Sequence, residues 1–445
     1  MDLNCLSIAQ IIQNHPIQKE SERLKQNYLR VLSYVAKKYS GEDEWAKATL
    51  DLYRKTLLQE ENFDCSEENF AKELKTATAT KFRPFKFFSY RYCLLADCIF
   101  INAFFEPQKG EKIFSELKEL YNRRYQKKLM EVFDSLYGEN EFPEKTSQLE
   151  YIKGIWQKNQ DFQKKTPIKV LVTATMSAGK STLLNALTGK KVNKTQNEAC
   201  TAKIHSIFNK PYEDGFSYEW DGELNLNASL SDLMDDNANN QTSHIAVGTH
   251  FRTVLPVSDR VWLLDTPGVN SAANTEHKNI SEELIQGSDA DLLIYLLNGE
   301  AIGTDDEKRH LLFIREHCKC RIVFVINKVD SYRKNEDSIA QTILDTKADL
   351  EKTGFQDPRV VPVSAYAAYL AKQAYWGGQL DEDETDELER LKRKMKRPEF
   401  QLQTFYPHEL EVELPAESGE NEQLMLHSGI LNLENIIYQA KEQKK

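Results

Sequence analysis

An α/β fold with a mostly parallel sheet, preceded by an all-helical domain, is what the sequence predicts, on three observations. Up to about residue 165 apolar residues recur at every third or fourth position, as on one face of a helix. Beyond Thr166-Pro167 short β-branched runs alternate with helical patterns, as strands and covering helices do in a parallel sheet. The motifs that carry glycine, lysine and aspartate fall where those runs end. The expected division is a helical domain over 1–165 and an α/β domain over 166–445, the latter with a charged insertion at about 377–422.

In the first part, Leu24, Tyr28, Val31, Leu32 and Val35 predict a helix over 21–39. Phe114, Leu117, Tyr121, Tyr125, Leu129, Val132 and Leu136 predict another over 111–137, and Leu149, Ile152, Trp156 and Phe162 a third over 144–165. Residues 82–92 interleave aromatic side chains with Arg83, Lys86 and Arg91. That pattern suits a lipid or nucleic-acid surface, but it reads first as a helix entering the bundle core with its cations reaching to solvent. The apolar stretch 93–105 is interrupted by Asp97 and Asn102 and is shorter than the roughly 20 apolar residues of a bilayer span. Cys93 and Cys98 within it read as core residues.

In the second part, strands are expected over 168–174, 203–208, 246–255, 260–265, 291–297, 321–326 and 360–363. Helices are expected to begin near Lys180, Ser281, Asp305, Asp337 and Ala365. The stretch 377–422 holds an acidic run over 381–386 and a basic run over 390–397, and reads as a partly helical, mobile insertion. Regular structure resumes at Ser428-Gly429-Ile430 in a last helix ending at about residue 443.

A formal net charge of -11 opposes general nucleic-acid binding, because phosphate backbones attract basic surfaces. Asp2 and Asn4 stand where a secretory leader is basic, and no long apolar core follows. Seven cysteines at irregular spacing fit a reducing, cytoplasmic compartment. His317, Cys318 and Cys320 offer three ligands where a structural zinc takes four, so they are not read as a metal site.

The chemistry lies in four motifs. The strand ending at Ala174 runs into Thr175-Met176-Ser177-Ala178-Gly179-Lys180-Ser181-Thr182 and then a helix. In that order, loop amides and a helix amino terminus cradle phosphate oxygens, Lys180 reaches the β- and γ-phosphates, and Ser181 ligates Mg²⁺. Ala174 stands at the first position, where the usual pattern has glycine. Leu263-Leu264-Asp265-Thr266-Pro267-Gly268 closes a second strand, placing Asp265 to hold Mg²⁺ through water and the Gly268 amide to meet the γ-phosphate. Val269 follows, an apolar residue where Ras-type enzymes orient water with glutamine. Asn327-Lys328-Val329-Asp330 closes a third strand. The Asp330 carboxylate can accept from both N1–H and the exocyclic amine of guanine. Adenine offers neither, and would leave a buried charge unpaired. Asn327 braces this loop, and the Lys328 stem lies over the base. After the strand ending in Val361-Pro362-Val363, Ser364 and Ala365 are expected to bind the nucleotide, the Ala365 amide being placed to contact the guanine carbonyl oxygen. Together the motifs imply GTP as the nucleotide and Mg²⁺ as its cation.

The run from Thr175 to Leu187, followed by Asn197-Glu198-Ala199-Cys200-Thr201-Ala202, resembles the phosphate loop and first switch of bacterial dynamin-like GTPases. The resemblance spans roughly 168–375 and the helix after Ser428. It implies that Thr201 ligates Mg²⁺ and helps hold the attacking water, and that Ser177 acts in hydrolysis when two GTPase domains meet. Met176 stands where dynamins carry glutamine. A carboxy-terminal stalk of the dynamin kind is not expected, since the extra helices precede the GTPase domain; they are candidates for a short neck or for recruiting a protein partner. Membrane remodelling is therefore not carried over from the resemblance. The expected function is GTP hydrolysis to GDP and phosphate, stimulated by homodimerisation of the GTPase domain. The alternative is a GTP-gated switch with little turnover that recruits a partner.

Overall fold

The structure, a computed structural model, describes residues 3, 5–58, 90–138, 140–175, 177–193, 203–234, 242–266, 275–287, 289–333 and 338–441. Within these residues the chain forms α1 (Ala9–Gln13), α2 (Glu22–Tyr39), α3 (Glu44–Leu58), α4 (Arg91–Ala103), α5 (Pro107–Glu119), α6 (Arg123–Tyr137) and α7 (Glu150–Lys164) before its first strand. Helix α2 forms where its apolar period predicts and buries Leu24, Tyr28, Val31, Leu32 and Val35. The single helix expected over 111–137 is instead two. Pro107 opens α5, where its missing N–H has no helical partner to lose. Asn122 then leaves the helical region with ψ 146, so the apolar face continues across a bend. Most of the basic-aromatic cluster lies outside the described residues; Tyr90 and Arg91 lead into α4.

Helix α4 is the buried axis of this part, with Cys93 and Cys98 in its core. Burial pushes both thiols up, and the neighbouring Asp97 charge adds to the effect. Asp97 is tolerated there because three donors converge on it. Tyr28 OH donates to Oδ2 at 2.5 Å, Tyr53 OH to Oδ1 at 2.9 Å, and His15 Nε2 lies 2.8 Å from Oδ2. His15 Nδ1 accepts from the Ile17 amide, which leaves the proton on Nε2 for Asp97.

The sheet comprises β1 (Ile168–Ala174), β2 (Ile204–Asn209), β3 (Tyr218–Trp220), β4 (Leu224–Asn225), β5 (His244–Thr249), β6 (Val261–Asp265), β7 (Leu292–Asn298), β8 (Arg321–Asn327) and β9 (Arg359–Pro362). Their order is β4-β3-β5-β2-β6-β1-β7-β8-β9. Strand β1 lies between β6 and β7, parallel to both, and β7, β8 and β9 continue in parallel. Strand β2 turns antiparallel to β6, and β3 antiparallel to β5. The short β3 and β4 were not expected; too few residues pair in them to show a period. Strand β5 starts earlier than the run suggested and stops at Thr249.

Covering helices are α8 (Lys180–Thr188), α9 (Leu230–Leu233), α10 (Thr275–Gly287), α11 (Asp305–His317), α12 (Ile339–Thr353), α13 (Ala365–Tyr375), α14 (Glu382–Met395), α15 (Glu420–His427) and α16 (Ile430–Gln439). Helix α10 starts ahead of the expected Ser281, and α16 ends at Gln439. The charged stretch 377–422, expected to be partly helical and mobile, is partly helical and also packs into the core. Asp381 and Glu384 cap α14 reciprocally, and Leu388, Leu391 and Met395 bury one narrow face of it. Phe400, Leu402 and Leu410 follow into the core beneath the sheet, and Tyr406 OH donates to the Pro362 carbonyl at 2.9 Å. Its apolar spacing was present but masked by the density of charge.

The helical layer packs on the β2–β3–β5 edge, where Phe208, Tyr218, Leu226 and Ala246 join its core. The amino-terminal segment stitches the seam. Ser7 exchanges two bonds with the Asn159 amide (3.0 and 3.1 Å), Tyr212 OH donates to Ser7 O at 2.8 Å, and the Ile8 amide donates to Asp214 at 3.0 Å. Among the described residues no helix is long and apolar enough to cross a membrane.

Candidate functional site

The site forms along the carboxyl ends of β1, β6, β8 and β9, the edge at which α/β sheets bind ligands. Ala174 is fully buried and still within β1, paired in register with Leu296 of β7. It is extended, so the position needs no glycine. The loop turns afterwards, at Ser177 (φ 62) and Gly179 (φ 88), both in the left-handed region. Ser177 is exposed, while Ala178 is buried against the core. Lys180, Ser181 and Thr182 form the first turn of α8.

Asn327, at the end of β8 and 3% exposed, joins the motifs. Its Nδ2 donates to the Ala178 carbonyl at 2.9 Å, and its Oδ1 accepts from the Ala365 amide at 3.0 Å. A methyl group on Gly179 would lie 2.5 Å from that same Nδ2, so the close approach requires glycine. Lys328 adopts φ 65 to turn the chain into a short 3-10 turn over Val329–Ser331, with its ammonium 3.6 Å from Glu300. Asp330, on that turn, accepts from Ser364 Oγ at 2.8 Å. Between these loops lies a cavity of about 290 Å³ lined by Gly179, Thr182, Asn327, Lys328, Asp330 and Tyr366.

At the other end, the Lys180 ammonium contacts Asp265, which is 6% exposed. The second Asp265 oxygen accepts from Asn193 Nδ2 at 3.0 Å. Asn193 is itself held by Asn185 of α8, whose Oδ1 accepts from the Val192 and Asn193 amides at 2.9 Å each. Asn185 thus fixes Asn193, and Asn193 fixes the carboxylate. Neither Asn193, Glu300 nor Tyr366 was found from the sequence. Each is recruited by tertiary structure, and only Asn185, inside the phosphate-loop helix, gave a local signal.

The donor set suits a hard cation. The Ser181 hydroxyl and the Asp265 carboxylate are oxygen ligands, and the buried carboxylate is already balanced by an ammonium where a cation would sit. Thr201, Gly268 and Met176 lie outside the described residues. Of the expected site residues, the structure brings Gly179, Thr182, Asn327, Lys328 and Asp330 to one cavity, Ser364 and Ala365 to its rim, and Lys180 to Asp265.

The model of the Dynamin family matches residues 170–329. Over 207 residues the chain is 25% identical to the probable transmembrane GTPase FZO-like, chloroplastic, of Arabidopsis thaliana, covering 46% of this chain and 20% of that protein. Over 198 residues it is 25% identical to the GTPase Era of Histophilus somni, covering 44% of this chain and 49% of the relative. The chain thus spans less than half the length of these curated relatives. A crystal structure of Era in complex with MgGDPNP and nucleotides 1506-1542 of 16S ribosomal RNA aligns at 20% identity and TM-score 0.29, covering 45% of this chain and 52% of that one. With the strand-end motifs and their bonds in place, residues 170–329, which match the model of the Dynamin family, form a P-loop GTPase domain.

Proposed function

We propose that the chain binds GTP with Mg²⁺ and hydrolyses it to GDP and phosphate, and that turnover rises when two GTPase domains meet. The observation that carries the reading is Asn327. Its two bonds tie the phosphate loop to Ala365, beside the Asp330 carboxylate, so one side chain couples phosphate binding to base reading. Asp330 then accepts from N1–H and the exocyclic amine of guanine. Ser364, already on one of its oxygens, holds the carboxylate in place.

Catalysis is positioning plus electrostatic stabilisation. Lys180 exchanges Asp265 for the β- and γ-phosphate oxygens on nucleotide entry. Ser181, Asp265 and Thr201 hold Mg²⁺, whose charge offsets that of the phosphates. Thr201 also holds the attacking water. Ser177, exposed on a left-handed turn of the phosphate loop, acts in this reading at a face shared with a second GTPase domain. The helical layer, seated on the sheet edge, is the surface offered to a protein partner.

Phosphate release per molecule, measured across a wide range of protein concentration, tests the proposal. A rate that climbs with concentration and vanishes in Lys180→Ala is expected. A flat, slow rate with tight GTP binding would instead mean a GTP-gated switch that recruits a partner.

A further inference from the structure

Helix α14 meets the base-reading loop with its basic run, where Arg390, Arg393 and Lys394 line a cavity with Ser331 and Tyr332. Three cations of the run pair with carboxylates. Arg390 pairs with Glu387 at 2.5 Å, Lys392 with Glu389 at 2.8 Å and Lys396 with Glu420 at 2.7 Å. The Lys394 ammonium instead donates to the main-chain carbonyls of Asp330 and Tyr332, at 2.6 Å each. It sits 4.5 Å over the Phe400 ring, which is buried in the core. The 3-10 turn that carries Asp330 bonds only the carbonyls of Lys328 and Val329 internally. Carbonyls at the trailing end of such a turn need outside donors.

We infer that Lys394 is a positioning residue for guanine recognition, a clamp from α14 that fixes the main chain on both sides of the turn and so aims the Asp330 carboxylate. This rests on the guanine-nucleotide reading above and adds to it a residue outside every nucleotide motif. Its anchorage is rigid: Leu391 and Met395, on either side of Lys394 along α14, are fully buried. The Asp330 side chain is held by Ser364 and its main chain by Lys394, so the carboxylate is fixed at both ends.

The clamp makes a prediction that general loss of stability does not. Guanine offers Asp330 two donors, N1–H and the 2-amino group, whereas hypoxanthine offers only N1–H. A loop free to pivot loses the two-point fit, so guanine loses more than hypoxanthine does. The experiment measures release of fluorescent GDP and IDP from the full-length chain in Mg²⁺, with melting temperatures alongside. For Lys394→Met we expect GDP release to accelerate ~10-fold and IDP release ~3-fold or less, a GDP-specific loss of ~0.7 kcal/mol or more, with melting within a few degrees of wild type. Lys394→Arg, which keeps donors for both carbonyls, is expected to retain the wild-type GDP-to-IDP ratio. A folded Lys394→Met protein that releases GDP at the wild-type rate, or accelerates both nucleotides equally, overturns the clamp. So does a stable Lys394→Arg protein with the collapsed ratio of the methionine variant. Failure of the underlying reading looks different: wild-type protein would then show no preference for GDP over ADP.

Discussion

Asn327 shows how much of the site rests on single atoms. Its amide joins two loops that are 149 and 38 residues from it in sequence. The glycine facing it has no room for a methyl group, and φ 88 is unfavourable for any other residue. Gly179→Ala is therefore expected to push Asn327 off Ala178 and abolish nucleotide binding, which a fluorescent-GDP titration reads directly; wild-type affinity would refute this account of the loop. Asp330→Asn removes a charged acceptor from both guanine donors. A charge-assisted bond contributes about 1.5–3 kcal/mol, so GDP affinity should fall by ~10–100-fold by the same titration. Gly179, Thr182, Asn327, Lys328 and Asp330, which the structure brings to one cavity, were legible because their strings are contiguous and end strands. Asn193, Glu300, Tyr366 and Lys394 were not, because they reach the site by folding back from elsewhere, and no local spacing marks them.

At the level of elements, patterns were read well where one face is buried and poorly where charge or brevity hides the period. Helices α2 and α8 and strands β1 and β8 lie close to where the apolar spacing placed them. The break between α5 and α6 was missed because the apolar face continues across it. Helix α14 was underrated because three buried residues stand among many charges. Two elements carry tests. The loop after β2 brings Glu213 to Lys190 at 2.9 Å and Arg252 at 3.1 Å. Burial alone would raise this carboxyl, but Lys190, the Gly215 amide and Arg252 outweigh it and push it down to about 2 from 4.5. A carboxyl lowered on folding contributes stability above its unfolded value and loses it as pH falls. Denaturant melts of Glu213→Gln should thus lose less stability than wild type between roughly pH 5 and pH 3; parallel curves would contradict the ion-pair account. In α4, Asp97→Ala leaves Tyr28, Tyr53 and His15 without their buried acceptor. A cost of about 3–5 kcal/mol is expected in urea unfolding, and a change below about 1 kcal/mol would mean that water replaces the carboxylate.

Across the whole molecule, the helical layer and the α/β layer share a core along the β2–β3–β5 edge, sealed by the amino-terminal segment. Tyr218 OH donates to Leu6 O, and the Ile8 and Ala9 amides both donate to Asp214, which also pairs with the buried Lys210. Removing residues 1–13 should therefore lower the melting temperature of the entire chain, not of the helices alone; calorimetry showing an unchanged α/β transition would contradict a shared core. The sequence announced two differently textured halves but not this seam, because the contacts join residues about 200 positions apart. In the proposed function, the cavity between the phosphate loop and Asp330 selects guanine. Displacement of bound fluorescent GDP by unlabelled GTP and by ATP, in Mg²⁺, tests it most directly. GTP is expected to displace the probe, while ATP at the same concentration is not. Equal displacement by ATP would contradict it.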